Sequence, residues 1–169
     1  MRATIAAAFL AGASLLAGCR APRPSSIERW EACVVERGRV ERSSVRVTVG
    51  PGTAPVVFLH ARWGDSPFVS EYSWGELMAE LTGGLSGGAT TTYANGAPAA
   101  AYREGGQILA FDTDRLDGSI RVVRSDARTA VLDVDVRAVA PTVDIGRRGI
   151  MPARGVITAR RVSSARECW

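Results

Sequence analysis

Chemistry needs residues that move protons, attack carbonyls, hold cations or grip anions, and this chain has few in workable arrangements. Its one histidine is His60. The run Gly84-Leu85-Ser86-Gly87-Gly88 has the G-x-S-x-G form of a nucleophile elbow, which sets a Ser on a tight strand-to-helix turn near a base and an acid. His60 precedes Ser86, however, whereas hydrolases built on that elbow bring their His after the Ser and use a parallel sheet. The run therefore reads as a Gly-rich loop, with a small hydrolase using Ser86 and His60 kept as a minor alternative on triad geometry alone. The stretch Asp112-Thr113-Asp114-Arg115-Leu116-Asp117-Gly118 gathers carboxylates and a glycine as a calcium loop does. Its acids break the required alternation, Arg115 interrupts the charge and no bidentate Glu follows, so a turn opening a strand at Asp117-Gly118 is expected instead. Asp133 and Asp135, two apart, point the same way on a strand and are expected to pair with cross-strand arginines rather than act as paired acid and base. No catalytic residue, metal ligand or cofactor is expected.

The remaining charged signal is basic. Arg147, Arg148, Arg154, Arg160, Arg161 and Arg166 occur before a late Glu167, with only Asp144 near their start. The planar guanidinium grips phosphate bidentately, which makes these six weak candidates for an anion-binding surface. Pairing with Asp133, Asp135 and Asp144 is the plainer expectation. Arg160 and Arg161, being adjacent, must face opposite ways on a strand.

Cysteines and the amino terminus indicate where the chain resides. Met1-Arg2-Ala3-Thr4 carries one positive charge, Ile5 to Leu16 is uncharged and apolar, and small residues lead to Cys19, the layout of a secretory signal peptide too short to span a bilayer. Leu16-Ala17-Gly18-Cys19 resembles the lipobox of bacterial lipoprotein precursors. The resemblance covers about the first 20 residues and implies cleavage before Cys19, lipidation of its thiol and acylation of the new amino terminus. By the sorting rule of that class, Arg20, where an Asp would retain the protein at the inner membrane, favours the outer membrane. Two or more acyl chains hold a protein at a membrane where one does so only marginally. The anions within reach would be lipid head groups rather than nucleic acid. Cys33 and Cys168 remain, and an even count in an exported chain is a disulfide expectation.

These residues are carried by a chain of 169 residues that is 46% hydrophobic and 22% charged, with net charge +4 and arginine as its only basic side chain besides the histidine. That composition excludes a disordered tail and a multi-span membrane protein, no repeat is visible, and the length suits one domain with its own core. The expected organisation is a signal peptide over 1–18, a lipidated terminus and tether over 19–30, and a β-rich envelope domain over 31–169. The Pro- and Ser-bearing stretch Arg20 to Ser26 reads as the extended part of that tether.

Period-two alternation dominates the domain. Val45 to Val49 alternates Val with Arg and Thr, and Pro55 to Trp63 is apolar on both faces, as in a central strand of a packed sheet. Further strands are expected at Thr90 to Tyr93, Gln107 to Phe111, Ser119 to Arg124, Thr129 to Ala138 and Arg154 to Val162. Residues 27–37 admit a short helix behind Ser25-Ser26-Ile27-Glu28 or a strand from Cys33, with strand favoured. Trp74 to Leu81, with Ser73 as N-cap and Gly83-Gly84 after it, is expected to be a helix. The aromatics Trp63, Phe68, Tyr72 and Trp74 are expected to serve packing. The fold class is mainly β, a single sandwich or small barrel with one or two short helices. Such a domain would act as a binding or structural module in the envelope, engaging an envelope protein or anionic lipid head groups, with carriage of a small apolar ligand in a barrel cavity as the alternative.

Overall fold

The computed structural model describes residues 30–42, 45–63, 73–105, 110–139 and 152–168. Eleven strands run in order: β1 (Glu31–Val35), β2 (Gly38–Arg42), β3 (Val45–Val49), β4 (Val56–Trp63), β5 (Ser73–Glu80), β6 (Thr90–Tyr93), β7 (Ala100–Gly105), β8 (Ala110–Thr113), β9 (Leu116–Ser125), β10 (Thr129–Ala138) and β11 (Pro152–Val162). Nine form one sheet in the order β6-β9-β10-β11-β1-β4-β5-β7-β8, and β2 and β3 form a separate hairpin. The large sheet curls into a half-barrel. Among the described residues the sole helical element is the 3-10 turn Ala165–Glu167. The expected mainly-β class holds, as a curled sheet with a small second layer.

Among the described residues every pairing is antiparallel except one: β1 lies parallel to β11 and antiparallel to β4, so the first described strand is inserted beside the last. This explains its composition. A strand with neighbours on both edges and cores on both faces is buried throughout, and Ala32, Cys33, Val34 and Val35 all are. The strand reading of this segment is correct, and β4, apolar on both faces, is its equally buried neighbour.

Alternation sorts side chains into two cores. The concave face gathers Val34, Leu59, Leu77, Tyr93, Tyr102, Ile120, Leu132 and Ile157 among others into one cluster that draws on β1, β4, β5, β6, β7, β9, β10 and β11. On the convex side a smaller cluster joins Cys33, Val35, Val56, Phe58, Met78 and Ala101 to Val40, Val47 and Val49 of the hairpin. Cys168 belongs to it and bonds to Cys33, the Cα atoms 5.7 Å apart across a sequence separation of 135. The expected disulfide is formed.

The expected helix at Trp74 to Leu81 is instead β5. Glu, Leu, Met and Ala favour helix locally. The same residues also alternate, with Leu77, Ala79 and Leu81 entering the large core and Met78 the small one, and β4 and β7 pair with β5 along its length. Two full hydrogen-bonded ladders and two-sided burial override a modest local preference. Gly83-Gly84 does not cap a helix: Gly84 turns with φ 76°, and a Cβ on Gly83 would sit 2.7 Å from the Thr90 carbonyl oxygen. The strand expected at Thr90 to Tyr93 is β6, and the Gly-rich run Gly84 to Gly88 lies in the turns that precede it. The strand expected at Gln107 to Phe111 falls at β8, its first part lying outside the described residues.

Strand directions define two poles. The starts of β1, β5 and β11 and the ends of β4, β7 and β10 point toward the near pole, but Cys33 stands opposite Arg160, so β1 begins well short of the start of β11 at Pro152. At the far pole lie Val35, Val56, Glu80, Ala100, Thr129 and Val162.

Candidate interaction surface

The hairpin and C-terminal turn cover the convex face over β1, β4, β5 and β7, leaving two charged areas beside that cover. The first is a row across four strands, in which Glu31, His60, Glu76 and Arg103 stand opposite one another in register, Arg103 in turn opposite Asp112 of β8. His60 is half-buried, on the same face as Phe58. Its sequence signal was partial, because Glu76 aligns with it only once residues 73–80 are a strand.

The second area is the outer face of β9, β10 and β11. Three directly opposed pairs cross it: Arg137 donates to Asp117 at 2.9 Å, Arg121 to Asp133 at 2.8 Å, and Arg154 to Asp135 at 2.9 Å. Antiparallel neighbours bring such side chains within reach, and opposite charges placed there stabilise the pairing modestly. The expected arginine partners of Asp133 and Asp135 are present. Arg121 and Arg137, which no sequence motif singled out, supply two of the three pairs. Val156, 54% exposed, and Val123, 45% exposed, are the large apolar side chains left in water among the described residues. Val123 is the extra residue where the β9–β10 register shifts, as in a bulge.

The basic cluster does not form one patch. Arg154 is in the ladder. Arg160 donates to the carbonyls of Glu167 and Cys168 at 3.0 and 3.2 Å. Arg161 points to the other face and binds Glu36 through two 2.7 Å bonds, and also donates to Ser125 Oγ and the Asp126 carbonyl. Arg166 is exposed on the 3-10 turn. Arg147 and Arg148 lie outside the described residues, as do Cys19, Asp144, Phe68 and Tyr72.

Arg161 thus joins the exit of β1, the β9–β10 turn and β11 at the far pole. Its hydrogen bonds hold the Glu36 carboxyl below the ordinary carboxylate range. Asp126 is likewise lowered, by the backbone N–H groups of Arg128 and Thr129 and by the Thr129 hydroxyl.

Ser86 lies in the turn between β5 and β6, where Leu85 packs on the concave core and Gly88 N–H donates to Val122 of β9. His60 stands on the convex face of β4, so the fold does not bring the two together. In the carboxylate-rich stretch, Asp117 is paired with Arg137 and Thr113 Oγ1 donates to the Val139 carbonyl. No metal-binding cluster occurs among the described residues. No protein-family model, curated protein or solved structure matches the chain.

Proposed function

We propose that this chain is a lipid-anchored exported protein of the bacterial envelope, and that its β domain works by contact, as a binding or structural interaction module, rather than by catalysis. The observation that carries the reading is Leu16-Ala17-Gly18-Cys19 closing an apolar, uncharged run behind a basic start. Arg20 after the cysteine favours the outer membrane. The Cys33–Cys168 bond is compatible with an oxidising compartment. Support for contact rather than chemistry comes from the charged side chains, which are spent on cross-strand pairing, and from the separation of Ser86 and His60. The partner would be an envelope protein or anionic lipid head groups, with no nucleic acid and no cofactor.

A Cys19→Ser variant tests the anchor. It is expected to remain uncleaved at residue 18 and to carry no lipid, and normally processed, acylated protein from that variant would falsify the reading. Gentle extraction of the native protein followed by native mass spectrometry tests the mode of action. A small apolar molecule retained until denaturation would put the carrier reading first.

A further inference from the structure

We infer that the far end of β9, β10, β11 and β1 is a basic surface that docks on anionic phospholipid head groups. This names the partner within the reading above and rests on it for the presence of a lipid surface. Where these four adjoining strands reach the far pole, the described residues set Arg37, Arg124, Arg128, Arg160, Arg161 and Arg166 beside Glu36, Asp126 and Glu167. Glu80, the other acid at that pole, stands on β5, two strands beyond β1. Register explains the gathering. Arg124 lies opposite Val131, and Arg160 lies opposite both Thr129 and Cys33. Arg128 is in the β9–β10 turn, its carbonyl accepting from the Arg161 N–H, and Arg37 follows Glu36, whose N–H donates to the Val162 carbonyl. Arg166 sits on the 3-10 turn that follows β11. With neighbouring strands about 4.8 Å apart, the four span roughly 14 Å.

The carboxylates do not cancel these arginines. Arg161 and Glu36 neutralise each other, but the other two acids are held by uncharged donors. Asp126 accepts from two backbone N–H groups and the Thr129 hydroxyl, and Glu167 accepts from the Ser163 and Ser164 hydroxyls. Arg160 likewise gives its hydrogen bonds to neutral carbonyls. Arg37, Arg124, Arg128 and Arg166 are exposed and make no side-chain hydrogen bond or ion pair among the described residues. A positive surplus therefore remains at this end. Its layout suits a plane rather than a small ion. Attraction between exposed charges fades beyond about 8 Å at physiological salt, so only arginines presented together at one end can all feel a bilayer at once. Guanidinium groups grip phosphate through paired N–H bonds, and basic clusters are drawn to anionic lipid. The outer ladder offers no rival, since each of its three guanidinium groups is matched by a carboxylate.

The test uses the full acylated chain carrying one fluorophore, placed by Ala127→Cys in the β9–β10 turn or by Thr92→Cys on the edge strand β6, with Cys33 and Cys168 left in their bond. Phosphatidylcholine vesicles with a head-group spin label as quencher are prepared with and without phosphatidylglycerol. Phosphatidylglycerol is expected to raise quenching at position 127 several-fold and at 92 little, and high salt to reverse the rise. The triple variant Arg124→Gln, Arg128→Gln, Arg166→Gln should abolish the rise at an unchanged melting temperature. Equal quenching in the two kinds of vesicle, an equal rise at 92, or a rise that survives the triple variant overturns the surface. Intact mass separates the two levels. Acylated protein without the rise removes the surface alone, whereas a rise shown by protein without acyl chains keeps the surface and removes the anchor.

Discussion

Arg161 on β11 makes four hydrogen bonds, and its partners lie on two other stretches of chain, Glu36 after β1 and Ser125-Asp126 at the β9–β10 turn. Charged hydrogen bonds each contribute about 1.5–3 kcal/mol, so Arg161→Ala is expected to lower stability by roughly that amount, read as a fall in the urea midpoint at unchanged slope. The pair also sets a pH dependence. The folded pKa of Glu36 lies below its ordinary value, so the unfolded chain binds more protons between the two values. Its contribution is therefore present above about pH 4.5 and lost as pH falls through the lowered folded value. Glu36→Gln removes that part of the acid transition: its midpoint near neutrality falls, and its further loss from pH 5 to pH 3 is smaller than that of the parent. An equal loss in both proteins would contradict the assignment. Gly118 carries a different constraint. It adopts φ 113°, and a Cβ there would run into the backbone carbonyl of Asp135 on β10. Gly118→Ala should cost about 2–4 kcal/mol, beyond ordinary turn glycines, because strain and steric conflict add. At the other end of the scale, Asp133→Ala removes a solvent-exposed pair and should cost under about 1 kcal/mol.

At the scale of elements, the edge strand β6 is held to β5 across the mouth of the curl. The buried Tyr93 hydroxyl donates to the Glu80 carbonyl at 2.7 Å, and Gly83 N–H donates to Thr91 Oγ1 at 3.0 Å. Burial pushes the Tyr93 hydroxyl well above its ordinary pKa, so it stays a neutral donor. Tyr93→Phe should lose about 1–3 kcal/mol, since the donor of a part-buried bond is removed while the ring remains. Faster amide exchange in β6 than in β10 would locate that loss. Elements with strict alternation were legible in the sequence: β3, β6 and β10 fall where the pattern puts them, and β4 reads as a two-sided strand. The helix expected at residues 74–81 fails because Glu76, Leu77, Met78 and Ala79 satisfy both periods, and only pairing with β4 and β7 decides between them. β2 and β7 went unread because they are short, begin or end on glycine, and carry only weak alternation of their own: Val40 and Ala101 gain their buried face from packing in the convex core. The same long-range register hid the row from Glu31 to Arg103 and two of the three ladder pairs.

For the molecule as a whole, the parallel pairing of β1 with β11 and the Cys33–Cys168 bond close the domain at the same place. A loop of this size is stabilised by about 5 kcal/mol in the chain-entropy account, and measured values more often fall at 2–5 kcal/mol. The double variant Cys33→Ala with Cys168→Ala should lose stability in that range and fold only in milder conditions. The even cysteine count of a chain read as exported made this bond legible without the fold, whereas the three-pair ladder of the outer face was legible only in part, because Asp133 and Asp135 call for arginines without saying which. The central claim, a domain stapled end to end and tethered at Cys19, is tested most directly by the intact mass of protein taken from membranes, before and after reduction. The predicted result is a chain beginning at Cys19 with diacylglycerol and acyl mass added, which gains two hydrogens on reduction. A chain retaining residues 1–18, or one cleaved without lipid, would contradict it.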